Sequence, residues 1–192
     1  MSEKSETSLS PLNIREVGNT FRMVGWASFG LQLALIIISS VVLFLFIAFG
    51  QKSTGSNTNA GAGSGVFFTI CGLVALGVGI YLTFRYKNIG RKLLSSNSDN
   101  RPRKSQTVQV LRLGLTVNLV GMLLTLLGVQ AIAGGLAIKA ISSQTSASGL
   151  VVDPNRIISG LEMFVVLASV QVMTGHFVGV VGSIWLLNRI TR

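Results

Sequence analysis

Long apolar runs separated by short polar joints dominate the chain. Four runs, roughly 24–49, 66–84, 108–138 and 161–187, carry nearly all of its hydrophobicity. Each is close to the about 20 residues that a helix needs to cross a bilayer's hydrocarbon core. A chain in lipid must satisfy its backbone polar groups internally, so the runs are predicted as α-helices. Four crossings in 192 residues leave little chain for a soluble domain. The expected fold is an all-α membrane protein with four transmembrane helices in two hairpins. Residues 1–20 form a cytoplasmic N-terminal segment, and residues 21–192 form one four-helix transmembrane domain.

Charge then orients the hairpins. Apolar residues make up 49% of the chain and charged residues only 11%, yet the net charge is +10. A basic excess suggests nucleic acid, but its distribution does not. Thirteen of the sixteen Lys and Arg fall in the N-terminal segment, the Arg85–Arg112 connector and the C-terminal tail. Those three segments share one side if the helices alternate, and the other side keeps only Lys52, Lys139 and Arg156. That asymmetry predicts cytoplasmic termini and a cytoplasmic connector, with the surplus charge meeting anionic lipid heads and no nucleic acid.

The joints are polar. Ser10-Pro11 reads as a helix cap followed by proline at the first helical position. Beyond it, Ile14, Val17 and Phe21 share one face and Arg15, Glu16 and Asn19 the other. This pattern suggests a short interfacial helix on the cytoplasmic surface; it equally fits a cytoplasmic extension of the first membrane helix. Residues 51–65 are a Gly/Ser/Asn-rich flexible loop. Residues 95–106 are turn-rich, and Asp153-Pro154-Asn155 marks a turn before the fourth helix. The run after the N-terminal segment is longer than a signal-peptide core and lacks a cleavage signature, and an Arg-rich transit peptide is absent. The reading is a mature prokaryotic multi-pass protein of the inner or thylakoid membrane.

Helix two ends in Ile80-Tyr81-Leu82-x-x-Arg85 and helix four in Ile184-Trp185-Leu186-x-x-Arg189. This echo fits either a parallel duplication of one hairpin or convergent interfacial anchoring. Inside the helices, Gly114, Gly121 and Gly128 recur every seven residues, and Gly175-x-x-x-Gly179 is a small-xxx-small pair. Such seams let helix backbones approach closely. The polar interior residues are Gln32, Asn118, Gln130, Gln171, His176 and, near the outer end of helix four, Glu162. Gln32, Asn118 and Gln130 are read as helix-packing staples. Glu162 and His176, about 21 Å apart along a helix, are placed with Gln171 on one face as a candidate cation path. Met173-x-x-His176 offers a sulfur and an imidazole, a pair suited to a transition metal, but one His and one carboxylate do not complete a site. No metal ligand set or cofactor is therefore assigned. Cys71 stands alone, without a CxxC or zinc spacing, and reads as a small buried apolar residue. Neither a nucleophile motif nor paired carboxylates occur. Gly61–Gly65 precedes a membrane helix and does not close a βα unit. The chain is not expected to be an enzyme.

Phe21-Arg22-x-x-Gly25-Trp26-x-Ser28-Phe29-x-x-Gln32, Gly114-Leu115-x-x-Asn118-Leu119-x-Gly121-Met122, Gln130-Ala131, Lys139 and His176-Phe177 together carry a resemblance. From Arg15 onward the chain resembles the family of the chloroplast inner-envelope Tic component of about twenty-one kilodaltons, also called the chloroplast iron permease, and its cyanobacterial relatives. Gly30 departs from the resemblance, which leads one to expect another aromatic there. The resemblance implies a four-helix inner-membrane protein, here a cyanobacterial member, with a role in iron transport or in assisting a protein-import translocon. It transfers no site residue. Two readings follow: a permease subunit for a transition-metal cation, iron favoured, or a non-catalytic scaffold or translocon component. Both imply contacts with lipid and other membrane proteins, and the tight packing favours a homo-oligomer.

Overall fold

The computed structural model describes residues 11–50, 60–93, 104–146 and 160–191. The chain forms α1 (Pro11–Leu45, closing in a π-helical turn at Phe46–Gly50), α2 (Ala60–Leu93), α3 (Lys104–Ser146) and α4 (Gly160–Thr191). All four are long and apolar enough to cross a membrane. Each outruns the apolar stretch that predicts it. At 1.5 Å per residue, the 43 residues of α3 reach about 65 Å, twice the hydrocarbon thickness. Hydropathy reads only the part of a helix that lies in lipid, whereas the hydrogen-bond ladder continues into polar sequence. Ala60–Gly65, expected as loop, is thus the first turn and a half of α2, and Ser142–Ser146 extends α3. Residues 11–20 continue unbroken into the membrane-length part of α1. The Ser10 cap, the Asp153-Pro154-Asn155 turn and the centres of the three joints lie outside the described residues.

The helices run up-down-up-down, each packed on its sequence neighbours, with α1 also against α4 and α2 meeting α4 across the centre. Two apolar cores close the ends. At the start of α1, Val17 and Phe21 pack with Leu82, Tyr86, Ile89, Leu111, Leu186 and Ile190. At the opposite end, Leu43, Ile132 and Val165 pack together. Arg22, Arg85, Lys87, Arg91, Lys92, Arg112 and Arg189 gather at the first, basic end. There Arg189 also pairs with Glu16, an exposed contact that contributes ~1 kcal/mol or less.

Between the cores the usual pattern of a water-soluble bundle is reversed. Only 17% to 44% of each helix's most apolar window is buried, and residues such as Trp26, Phe44, Ile138 and Trp185 point outward. Ser28, Gln32, Ser39, Thr69, Thr83, Asn118, Thr125, Ser169, His176 and Ser183 are buried instead. An apolar exterior around a polar axis is the arrangement that lipid, and not water, stabilises. Cys71 is half-buried on α2.

Candidate functional site: a polar axis through the bundle

The axis follows from a seven-residue repeat. On α3 the buried positions are Thr107, Leu111, Gly114, Asn118, Gly121, Thr125, Gly128 and Ile132, in steps of three and four. That is the spacing of a coiled-coil seam, filled here with small and polar residues. The other helices share it: Gly65, Gly72, Gly79 and Tyr86 on α2, and Ser169, His176 and Ser183 on α4, are buried at intervals of seven.

The glycines of α3 are sockets for polar side chains of α2 and α4. Gly114 lies against the Tyr86 hydroxyl, Gly121 against the His176 imidazole, and Gly128 against Thr69 and the Gly65 carbonyl. Gly175 receives Leu76, and Gly179 receives Asn118 and Gln32. The glycine seam of α3 faces inward, and its contents are polar. Beyond Gly128 it ends, because Gly134 and Gly135 have open space beside them.

The centre of the axis is a layer of Gln32, Asn118 and His176, each almost completely buried. The Gln32 amide donates to the Gly175 carbonyl at 3.0 Å and its Oε1 lies 3.1 Å from the Thr83 hydroxyl. The Asn118 amide nitrogen donates to the Gly114 carbonyl at 2.8 Å, which fixes its orientation and turns Oδ1 toward His176 Nδ1 at 3.2 Å. The other imidazole nitrogen, Nε2, lies 3.0 Å from the Gly72 carbonyl. Both ring nitrogens thus face oxygen acceptors on different helices. A neutral ring, with one N–H, donates to one of them; an imidazolium donates to both.

Hydroxyls extend the layer toward both ends. Tyr86 and Ser183 lie 3.4 Å apart toward the basic end, beside a narrow crevice that Ser28 and Thr83 also line. Toward the other end, Thr69 and Ser169 are 3.1 Å apart. Thr69, Thr125, Ser169 and Ser183 also donate to the carbonyl four residues back, and the one Thr83 hydroxyl hydrogen is shared between the Gly79 carbonyl and Gln32 Oε1. Such local bonds satisfy a hydroxyl within its own helix, so these residues are inexpensive to bury. Gln32, Asn118 and His176 have no such shortcut to satisfy all their polar atoms, and they are the informative members. Among the described residues no buried side-chain nitrogen or oxygen lacks a partner.

The other sequence candidates are distributed around this axis. Glu162 sits at the end remote from the basic cluster and pairs with Lys139 of α3 at 2.6 Å. Gln171 turns toward α1, where the Ser39 hydroxyl lies 3.4 Å from its Oε1 and 3.1 Å from the Ala168 carbonyl. Glu162, Gln171 and His176 therefore do not line one face. At 100° per residue, position 171 lies half a turn away from 162, and only His176 reaches the central layer. Gln130 is exposed on α3; it falls between the buried positions 128 and 132, and does not staple helices within the bundle. No group of three or more His, Cys, Asp or Glu capable of holding a metal occurs among the described residues. Sequence reading passed over Tyr86, Thr83, Ser183, Thr69 and Ser169. The signal that finds them is the seven-residue recurrence of small and hydroxyl residues in α2 and α4, in step with Gly114, Gly121 and Gly128.

Four apolar-faced helices around a hydrogen-bonded polar axis define a polytopic α-helical membrane protein. The DUF3611 family model, described as Protein of unknown function, matches residues 11–191, and the chain belongs to that family. It is also related to an Arabidopsis thaliana protein named Protein TIC 21, chloroplastic, with 27% identity over 193 residues. The alignment takes in 98% of this chain and 62% of the relative, so the chain spans less than two thirds of that protein's length. No solved structure matches the chain significantly.

Proposed function

We propose that this protein is a permease subunit for a transition-metal cation, with the route following the bundle axis through Gln32, Asn118 and His176. The observation that carries this reading is the burial of that amide–amide–imidazole layer at the centre of a membrane bundle. Polar residues inside membrane helices cost free energy and mark ion or substrate pathways by default. Their return as staples is small, since interhelical hydrogen bonds in lipid average about 0.6 kcal/mol. Iron is the favoured cargo because the chain resembles the family that includes the chloroplast iron permease. With each buried side-chain nitrogen and oxygen among the described residues partnered, the described conformation is the closed one, and transport requires the layer to exchange its internal bonds for bonds to the ion. The same saturation favours a second reading, a rigid scaffold or translocon component that binds other membrane proteins.

Flux separates the two. Liposomes containing only this protein should take up ferrous iron or manganese above protein-free liposomes at matched protein density. Glu162→Gln should lower uptake several-fold, because it removes the carboxylate that pairs with the Lys139 ammonium at the end where the cation enters. Background flux from correctly folded protein would overturn the permease reading in favour of the scaffold.

Orientation is part of the proposal. The basic end should face the cytoplasm. In a Cys71→Ala background, single cysteines at Ser56 and Ser98 should react with impermeant maleimide from opposite sides of sealed vesicles, the latter from the cytoplasmic side. Labelling of both from one side would rule out the four-span arrangement.

A further inference from the structure

The outer surface between α1 and α2 at the basic end holds a cation with no carboxylate counter-ion among the described residues. Lys87 Nζ lies 4.4 Å from the centroid of the Trp26 ring, 5.4 Å from that of Phe84 and 6.0 Å from that of Phe29. Phe29 and Phe84 themselves meet at 5.9 Å. The helices cross closely here. A methyl at Gly25 would lie 3.3 Å from the Lys87 backbone nitrogen, and one at Gly90 3.1 Å from that of Arg22. This crossing sets Arg22 level with Gly90 and Arg91 and places Lys87 beside Trp26. Arg22 and Trp26 share a face of α1, and Lys87 and Arg91 a face of α2, each pair four residues apart. Both arginines are exposed.

Aromatic faces attract an ammonium only weakly near a surface, and they bring no negative charge. The two carboxylates among the described residues are committed elsewhere, Glu16 to Arg189 and Glu162 to Lys139. Lys87 therefore lies over an aromatic shelf, flanked by the exposed Arg22 and by Arg91, which donates to Asn88, and none of the three has a carboxylate partner among the described residues. Below Trp26 on the same face of α1, Gly30 has open space beside it, leaving a notch in an otherwise apolar surface.

We propose that this α1/α2 surface is a binding site for one anionic phospholipid of the adjoining leaflet. The headgroup phosphate sits among Lys87, Arg22 and Arg91. The glycerol lies at the level of Trp26, and one acyl chain runs down the notch at Gly30 along Phe29 and Leu33. Charge complementarity selects the lipid class. A zwitterionic choline head would bring a second cation to aromatic faces that Lys87 already occupies, whereas a glycerol head would not. The site is independent of whether the bundle axis conducts.

Native mass spectrometry of the full chain, released from detergent with equal amounts of phosphatidylglycerol and phosphatidylcholine, tests it. One phosphatidylglycerol should be retained with at least five-fold preference. Lys87→Met and Trp26→Leu should each abolish the preference, Lys87→Arg should keep most of it, and Arg112→Met, a cation removed from α3, should leave it unchanged. Circular dichroism would confirm that the variants are folded. Equal retention of the two lipids by the unaltered chain would overturn the proposal, as would full preference in both Lys87→Met and Trp26→Leu. An equal loss in Arg112→Met would also overturn it, because that pattern belongs to diffuse attraction by the basic end.

Discussion

Gly121→Leu should unfold in detergent at a far lower temperature than the unaltered chain, with a loss of more than ~3 kcal/mol, at or above the upper end of ordinary overpacking. A side chain built at this glycine runs into the His176 imidazole on one side and comes within 2.9 Å of the Ala75 methyl on the other. Neither neighbour has a flexible end that can move aside. The imidazole is tied to Asn118 and Gly72, and the Ala75 methyl is fixed to the α2 backbone. The added bulk must separate α3 from both α2 and α4 and break the central layer. Leu124→Ala, three residues further along at a half-buried position, removes apolar contact without forcing a backbone apart, and should cost no more than ~1–2 kcal/mol. Thermal melts followed by circular dichroism compare the two. Equal midpoints would mean that Gly121 faces lipid and that the socket arrangement is wrong.

Gly121 also shows what could be read from sequence. Apolar runs of bilayer length specify four helices because nothing but a hydrogen-bonded helix tolerates hydrocarbon, and the glycines every seven residues specify a seam. What the seam holds was not legible one residue at a time. Hydropathy scores Thr69, Thr83, Ser169 and Ser183 as nearly neutral, so hydroxyls on the axis look like lipid-facing residues. Only their phase relative to the glycines distinguishes them. The same phase assigns Gln130 to the exterior, although composition alone groups it with Asn118. Glu162 and Lys139 lay at the ends of different predicted helices, and counting each as a separate outer charge concealed that antiparallel neighbours bring the two together. Phase fails at Lys87. Its aromatic setting depends on how closely α1 and α2 cross at Gly25 and Gly90, which no single-helix pattern encodes.

His176→Leu should bring cation uptake in liposomes to near background, at least ten-fold down, while the protein still inserts and folds. Leucine roughly matches the imidazole in volume, so the socket at Gly121 stays filled. The Gly72 carbonyl keeps its own helical hydrogen bond, but Asn118 Oδ1 loses its partner from α4. A buried acceptor left unsatisfied costs about 1–3 kcal/mol, so the single variant should be measurably less stable and its lost uptake ambiguous. Adding Asn118→Leu resolves the ambiguity. With both partners apolar no acceptor is orphaned, and stability should recover most of the loss. Under the permease reading uptake should stay at background, because the layer that must exchange its bonds for the ion is gone. Melting temperature and iron uptake, measured on both variants at matched density, therefore move together if the layer only staples helices and separate if it conducts. Full uptake by the stable double variant would assign Asn118 and His176 to packing alone, and would move the weight to the scaffold reading.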